Sequence, residues 1–230
     1  MMSKTVIITG SQGNLGESVT TKFEQEGYKV IGTVSPGKST ETSSQNVIYK
    51  EVDLLNAEEA KGLASEAVNG SGSIHAIVCL VGGFGMSDLL GSDKEQVDKM
   101  INLNFYTAFN TVKSFLELTK EQDSPVNIVL VGAKPAVEKS GVSAVFPYAL
   151  SKSMVINLAE TINSDSRNLN AYATIVAPSV IDTPPNRDSM PDADFSDWVT
   201  PKSIADKIHF VCSDAGKDLR GTVLKIYGNS

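Results

Sequence analysis

Short runs rich in Val and Ile alternate with amphipathic stretches along almost the whole chain, and this alternation restricts the possible folds more than any other feature. The runs cover residues 5–9, 29–34, 47–52, 76–81, 127–131, 171–177 and 222–227. Strands that are apolar on successive residues bury both faces, which demands helices above and below a parallel sheet. Helical patterns fill the intervals at 14–26, 57–68, 94–120, 147–164 and 201–213. The chain is therefore expected to be α/β and doubly wound, with seven parallel strands and helices on both faces. In such a sheet a ligand sits beyond the carboxyl ends of the strands, so the residues just after each run are where chemistry belongs.

At 230 residues and 41% hydrophobic content the chain can bury one substantial core, and no composition shift or linker divides it, so a single domain over 1–230 is expected. The net charge of −7 is dispersed, with no basic stripe to neutralise phosphates, which argues against a nucleic-acid partner. No leader pattern follows Met1 and no apolar run approaches membrane-spanning length, so a soluble cytoplasmic protein without a membrane partner is expected. Cys79 and Cys212 lie in apolar surroundings and read as reduced core thiols. His75 and His209 stand apart from each other and from any carboxylate cluster, so no metal is expected.

The first run enters a glycine-bearing turn, Gly10-Ser11-Gln12-Gly13-Asn14-Leu15-Gly16, which leads into a helical pattern. Gly10 permits the tight turn, the small residues after it let backbone N–H groups reach a pyrophosphate, and Gly16 allows helix to pack closely on sheet. The same spacing could serve a purely structural turn. Its place in the first unit of an alternating chain favours a dinucleotide and a Rossmann-type domain. At the tip of the second run an acidic residue would hold the ribose hydroxyls of NAD, and here Thr33-Val34-Ser35-Pro36-Gly37-Lys38 carries none. Ser35 and Lys38 could instead hold a 2′-phosphate, which favours NADPH over NADH; alternatively Lys38 is a solvated loop lysine. Asp53, followed by Leu54, is placed to bond an adenine amino group or to cap the next helix. Tyr148 and Lys152 are four apart in a helical pattern and so share a face, where the ammonium would lower the phenol's pKa towards working pH.

With these elements together the chain resembles the short-chain dehydrogenase/reductase family over essentially its whole length. The resemblance rests on Thr9-Gly10, Asp53, Gly82-Gly83 after the fourth run, Asn104, Tyr148-x-x-x-Lys152, and 178–183 after the sixth. It implies that Tyr148 is the general acid/base, that Lys152 also grips the nicotinamide ribose, and that Asn104 serves a proton relay. It further implies cofactor contacts from Gly10, Gln12, Gly13, Leu15, Gly16, Asp53, Leu54, Val81, Gly82, Gly83, Pro178, Ile181 and Thr183. On this reading 1–91 is mainly the nucleotide half and 92–230 the catalytic half.

Three departures from the family pattern occur together. The middle glycine is at Gly13 rather than at Asn14, the fourth run ends Leu80-Val81-Gly82-Gly83 without the usual Asn, and the fifth continues into Gly132-Ala133-Lys134, where most members place a catalytic Ser. In this combination, and in the stretch from Asp182-Thr183-Pro184 to Trp198, the chain is similar to the quinonoid dihydropteridine reductase branch. That likeness implies a flap near 183–199 and substrate contacts from Phe84, Ala133, Met190 and Trp198. A quinonoid dihydropterin is electron-poor and spreads incoming charge over its own ring, so it can do without the serine's hydrogen bond, worth about 3 kcal/mol to a simple ketone. The alternatives are a reductase of another flat conjugated acceptor, such as a quinone or enone, and a non-catalytic NADP(H)-sensing protein. The resemblance also implies a homodimer or homotetramer formed through the long helix and the Tyr-bearing helix, for which Phe105, Phe109, Phe115 and Leu118 are available apolar positions.

Overall fold

In the computed structural model residues 4–139 and 141–229 are described; the expected domain's ends, 1–3 and 230, lie outside them, as does residue 140. Strands β1 (Thr5–Thr9), β2 (Lys29–Val34), β3 (Val47–Glu51), β4 (Ala76–Cys79), β5 (Val126–Val131), β6 (Ala171–Pro178) and β7 (Val223–Ile226) form one parallel sheet. Their order is β3-β2-β1-β4-β5-β6-β7, so the chain winds one way from β1 and then the other. The crevice beside β1 and β4, where the order reverses, is the switch point at which such sheets bind nucleotides.

The helices are α1 (Asn14–Gln25), α2 (Ala57–Ser71), α3 (Lys94–Ile101), α4 (Thr107–Thr119), α5 (Lys134–Glu138), α6 (Phe146–Ser164), α7 (Ser166–Leu169), α8 (Pro184–Ser189) and α9 (Pro201–Cys212). The period of two along the strands divides the core. Ile7, Ile77, Ile128 and Ile175 face α2, α4 and α6 through Leu63, Phe115 and Val155. Val6, Ile8, Val78 and Val176 face α1 and α9 through Phe23, Ile204 and Ile208. Each of these side chains is fully or nearly fully buried, which stabilises the sheet by about 1.5–3 kcal/mol apiece before chain entropy is counted.

Two expected elements differ. The run at 76–81 is strand only to Cys79, because the N–H groups of Leu80 and Val81 leave the ladder and donate to Thr9 Oγ1 at 3.0 and 3.4 Å. The stretch 94–120 is not one α-helix, since a π-helical turn at Asn102–Tyr106 separates α3 from α4. Such turns insert an extra residue and often mark sites of function. Here the turn carries Asn104, which is 1% exposed, towards the crevice. Phe115 is core, whereas Phe105 stacks on Phe109 at 5.7 Å and Leu118 is exposed.

Candidate active site

The turn after β1 is held by its neighbours before any ligand is considered. Gly10 adopts φ +64°, and Ser11 turns back so that its N–H and hydroxyl both donate to the Thr33 carbonyl, at 3.0 and 2.9 Å. Helix α1 then starts from Gly13, whose lack of a side chain leaves the first-turn N–H groups without a side-chain cap. Those N–H groups and the positive end of the helix favour an anion. A Cβ at Gly16 would lie 2.1 Å from the Gly10 carbonyl oxygen, so helix and turn can approach only because the side chain is absent. A dinucleotide pyrophosphate fits this cradle.

Beyond β2, the Lys38 N–H donates to the Ser35 carbonyl at 3.1 Å across a turn with Gly37 at φ +81°. The Gln12 amide donates to the Ser39 carbonyl at 2.9 Å, tying this loop to the glycine turn. No carboxylate lies within 33–38, and Ser35 and Lys38 are both exposed there. Asp53 does not cap α2, because Asn56 does so by accepting from the N–H groups of Glu58 and Glu59. The Asp53 carboxylate accepts from the Leu55 N–H at 3.0 Å. Leu54 is buried in the core, so only its backbone is available to a ligand.

The side chains expected to be catalytic lie around the ends of β4 and β5. Lys152 is buried, and its ammonium donates to the Val131 carbonyl at 2.8 Å. The Asn104 amide donates to the Gly83 carbonyl at 3.1 Å and to Ser151 Oγ at 3.0 Å, while its oxygen accepts from the Gly83 N–H at 3.0 Å. Asn104 thereby clamps the strand end to the Tyr-bearing helix. Ser151 completes the clamp by donating to the Tyr148 carbonyl at 2.8 Å. Sequence reasoning missed Ser151, although its position three residues after Tyr148 places it on the same helical face. A Cβ at Gly82 would meet Asn104 Oδ1 at 2.6 Å and Lys152 Nζ at 3.3 Å, so a glycine there lets the backbone lie against both.

Tyr148 stands in the first turn of α6, whose start is stitched to the loop after β4 by the Phe146 N–H donating to the Ser87 carbonyl at 2.8 Å. That stitch brings Phe84 edge-on to the Tyr148 ring, with centroids 5.0 Å apart, while leaving Phe84 63% exposed. Burial pushes the Tyr148 phenol up to about 12 and the Lys152 ammonium down to about 8. The expected lowering of the phenol by its lysine is thus reversed, since desolvation dominates and the ammonium is directed at Val131. At neutral pH the phenol keeps its proton and is ready to donate it.

Ala133 is 2% exposed at the start of α5 and supplies no hydroxyl. The next residue, Lys134, places its ammonium 5.1 Å from the Tyr227 ring centroid. Pro178 is buried at the end of β6 and Thr183 is buried at the start of α8, while Ile181 is half-buried and forms a bridge with Val199. Met190 is exposed, and Trp198 packs on Phe195 at 4.8 Å. The cysteines are free, buried thiols that burial pushes up to about 12. Among the described residues no helix is long and apolar enough to cross a membrane.

A glycine turn suited to an anion at the switch point, with Tyr148 and Lys152 near the neighbouring strand ends, is the arrangement expected of an α/β oxidoreductase. The sequence profile of the family described as short chain dehydrogenase matches residues 4–194, and the chain belongs to that family. It is an oxidoreductase that acts on a small molecule, of a family that binds nicotinamide cofactors. It is 26% identical over 211 residues to a dihydropteridine reductase of Dictyostelium discoideum, covering 90% of this chain and 87% of the relative. It is 23% identical over 244 residues to a 3-oxoacyl-[acyl-carrier-protein] reductase of Staphylococcus aureus, covering 99% and 98%. Among solved structures, ElxO with NADP bound superposes with a TM-score of 0.86 at 22% identity, over 99% of this chain and 98% of that one.

Proposed function

We propose that this chain is an NADPH-dependent reductase of a flat conjugated acceptor, with a quinonoid dihydropteridine as the first substrate to try. The observation that carries this reading is the site at the ends of β4 and β5. There a protonated phenol lies against the exposed Phe84 ring, and a buried alanine occupies the region where ketone-reducing members keep a hydroxyl. A reduced nicotinamide, when bound, supplies hydride. Tyr148 gives the acceptor its proton, and the Lys152 ammonium stabilises the phenolate left behind and holds the nicotinamide ribose. Asn104 positions the Gly83 backbone and α6 rather than moving a proton through its own committed amide. Phe84 offers an aromatic wall to a planar ring. Gly10, Gln12, Gly13, Leu15 and Gly16, with Val81 to Gly83, Pro178, Ile181 and Thr183, form the cofactor's bed. Ser35 and Lys38 take the 2′-phosphate, and Asp53 lies at the adenine end. The segment 183–199 is the flap, bringing Met190 and Trp198 towards the acceptor.

A second reading, a quinone or enone as acceptor, draws on one specific observation. The loop that bears Phe84 also exposes Met86, Leu89 and Leu90, the last at 97%, which suits an apolar acceptor. NADPH oxidation measured with chemically generated quinonoid dihydropterin beside a quinone, an enone and a simple ketone separates the readings. The expected order has dihydropterin first and the ketone at background. No turnover of dihydropterin would retire it as substrate, and efficient ketone reduction would retire the whole class.

Further support concerns the protein's state in the cell. The half-buried Phe105 and Phe109 and the exposed Leu118 and Leu150 on neighbouring helices suit a homodimer or homotetramer, and the free thiols suit the cytoplasm. Solution mass tests the assembly.

The lysine sets a pH limit. Its ammonium is present below about 8 and is lost as pH rises through that value. Turnover at saturating substrate is therefore expected to fall above about pH 8, with log rate approaching a slope of about −1. Lys152→Arg cannot deprotonate in this range and is expected to lose that inflection, whatever its absolute rate. A wild-type profile flat to pH 10 would contradict the assignment.

A further inference from the structure

The chain leaves the sheet after β6 and returns to the same point. Ile181 and Val199 form a parallel bridge, the Asp182 N–H donates to the Val199 carbonyl at 2.8 Å, and the Val199 N–H donates to the Val180 carbonyl at 3.0 Å. Residues 183–198 are therefore an excursion with pinned ends, touching the body again where the Asn229 N–H donates to the Asp197 carbonyl at 3.3 Å. One side chain joins its two arms. Arg187, on the short α8, donates from Nε to Asp182 Oδ1 at 2.6 Å and from Nη2 to Asp182 Oδ2 at 2.9 Å, a fork gripping the hinge carboxylate. The same guanidinium lies 4.7 Å from the Phe195 ring centroid, and Phe195 packs on Trp198 with centroids 4.8 Å apart.

We propose that Arg187 is a positioning residue, the latch that fixes the shape of the substrate-covering segment by joining its hinge at Asp182 to the aromatic pair Phe195 and Trp198. The latch is a specific geometry rather than a charge. The planar fork bonds both carboxylate oxygens in parallel while presenting its face to a ring, a fixed geometry that the compact ammonium of a lysine does not reproduce. Arg187 is not seated among Tyr148, Lys152 and Asn104, so its effect on turnover runs through the segment it shapes. Without the fork the guanidinium no longer holds the Phe195 ring to the hinge at Asp182, and Trp198 gains freedom. The part of this inference that concerns acceptor affinity rests on the proposed function; the part that concerns segment shape does not.

Trp198 is the only tryptophan in the chain, so its fluorescence reports this segment alone. In Arg187→Ala and Arg187→Lys, acrylamide quenching of Trp198 is expected to rise about twofold or more. NADPH affinity is expected to stay within about twofold, and KM for the acceptor to rise about tenfold with kcat little changed. Phe195→Leu, which removes the ring but leaves the fork, is expected to give the same quenching change and serves if the arginine variants fold poorly. Quenching unchanged in Arg187→Lys and Phe195→Leu would overturn the latch, as would loss of kcat and NADPH affinity together. If quenching rises while no acceptor is turned over even by the wild type, the latch stands and the proposed reaction fails.

Discussion

Replacing Tyr148 with Phe is expected to lower turnover by about 10²- to 10⁴-fold, the range for loss of a positioned general acid, while NADPH affinity stays within about twofold. The substitution removes one oxygen and little else. The ring would keep its edge-on contact with Phe84 at 5.0 Å, and the backbone carbonyl that anchors Ser151 is untouched. Nothing structural should therefore change except the proton source. The predicted loss corresponds to about 2.7–5.4 kcal/mol in the activation barrier. No hydroxyl from Ala133 is available to take over, and Ser151 is committed to Asn104 and the Tyr148 carbonyl. A Tyr148→Phe protein with wild-type turnover would mean that the proton comes from elsewhere.

Gly16→Ala carries the second large effect, this time on cofactor binding. Its Cβ would fall 2.1 Å from the Gly10 carbonyl oxygen and within 2.9 Å of the Ser11 backbone, distances that no real contact of this kind tolerates. The turn cannot swing aside cheaply, because Ser11 is bonded twice to the Thr33 carbonyl. Forced overpacking of this kind costs about 1–3 kcal/mol. If the strain falls on the cradle, NADPH binding weakens by about 5- to 150-fold. Gly62→Ala is the matched control, since its Cβ meets nothing within 4 Å on helix α2. That control should be neutral or stabilising by about 0.5–1 kcal/mol. NADPH titration with thermal unfolding of both variants decides the matter, and equal affinities would show that the cradle is not formed by this turn.

The strand and helix pattern was legible because most of these elements are buried on a fixed side. β1, β2 and the start of α1 lie where the apolar runs place them, since strands buried on both faces read as continuous apolar runs with clear ends. What was not legible depends on contacts remote in sequence. β4 stops at Cys79 because Thr9 captures the next two N–H groups, and nothing within 76–81 announces that. The π turn exists where Asn104 reaches Gly83 and Ser151, remote contacts that the local pattern of 94–120 does not contain. The five residues of α5 are too few to show a period at all. In the candidate site, spacing singled out Tyr148 and Lys152 as candidates, whereas the direction of the phenol's shift could not be read from it. Proximity to an ammonium and burial act oppositely on a tyrosine, and only coordinates say which is larger. The fork from Arg187 to Asp182 is close in sequence, yet its partner Phe195 belongs to the other arm of the loop.

On the proposed function NADPH would supply hydride to a planar acceptor at the ends of β4 and β5, with Tyr148 giving the proton, Lys152 supporting the phenolate and no serine hydroxyl taking part. A crystal structure of the chain with NADP and a dihydropterin tests it most directly. The expected result has the pterin ring against Phe84, the Tyr148 hydroxyl within hydrogen-bond distance of a ring nitrogen or carbonyl, and Lys152 on the nicotinamide ribose. A pterin bound elsewhere, or a nicotinamide out of reach of both Tyr148 and Lys152, would contradict it.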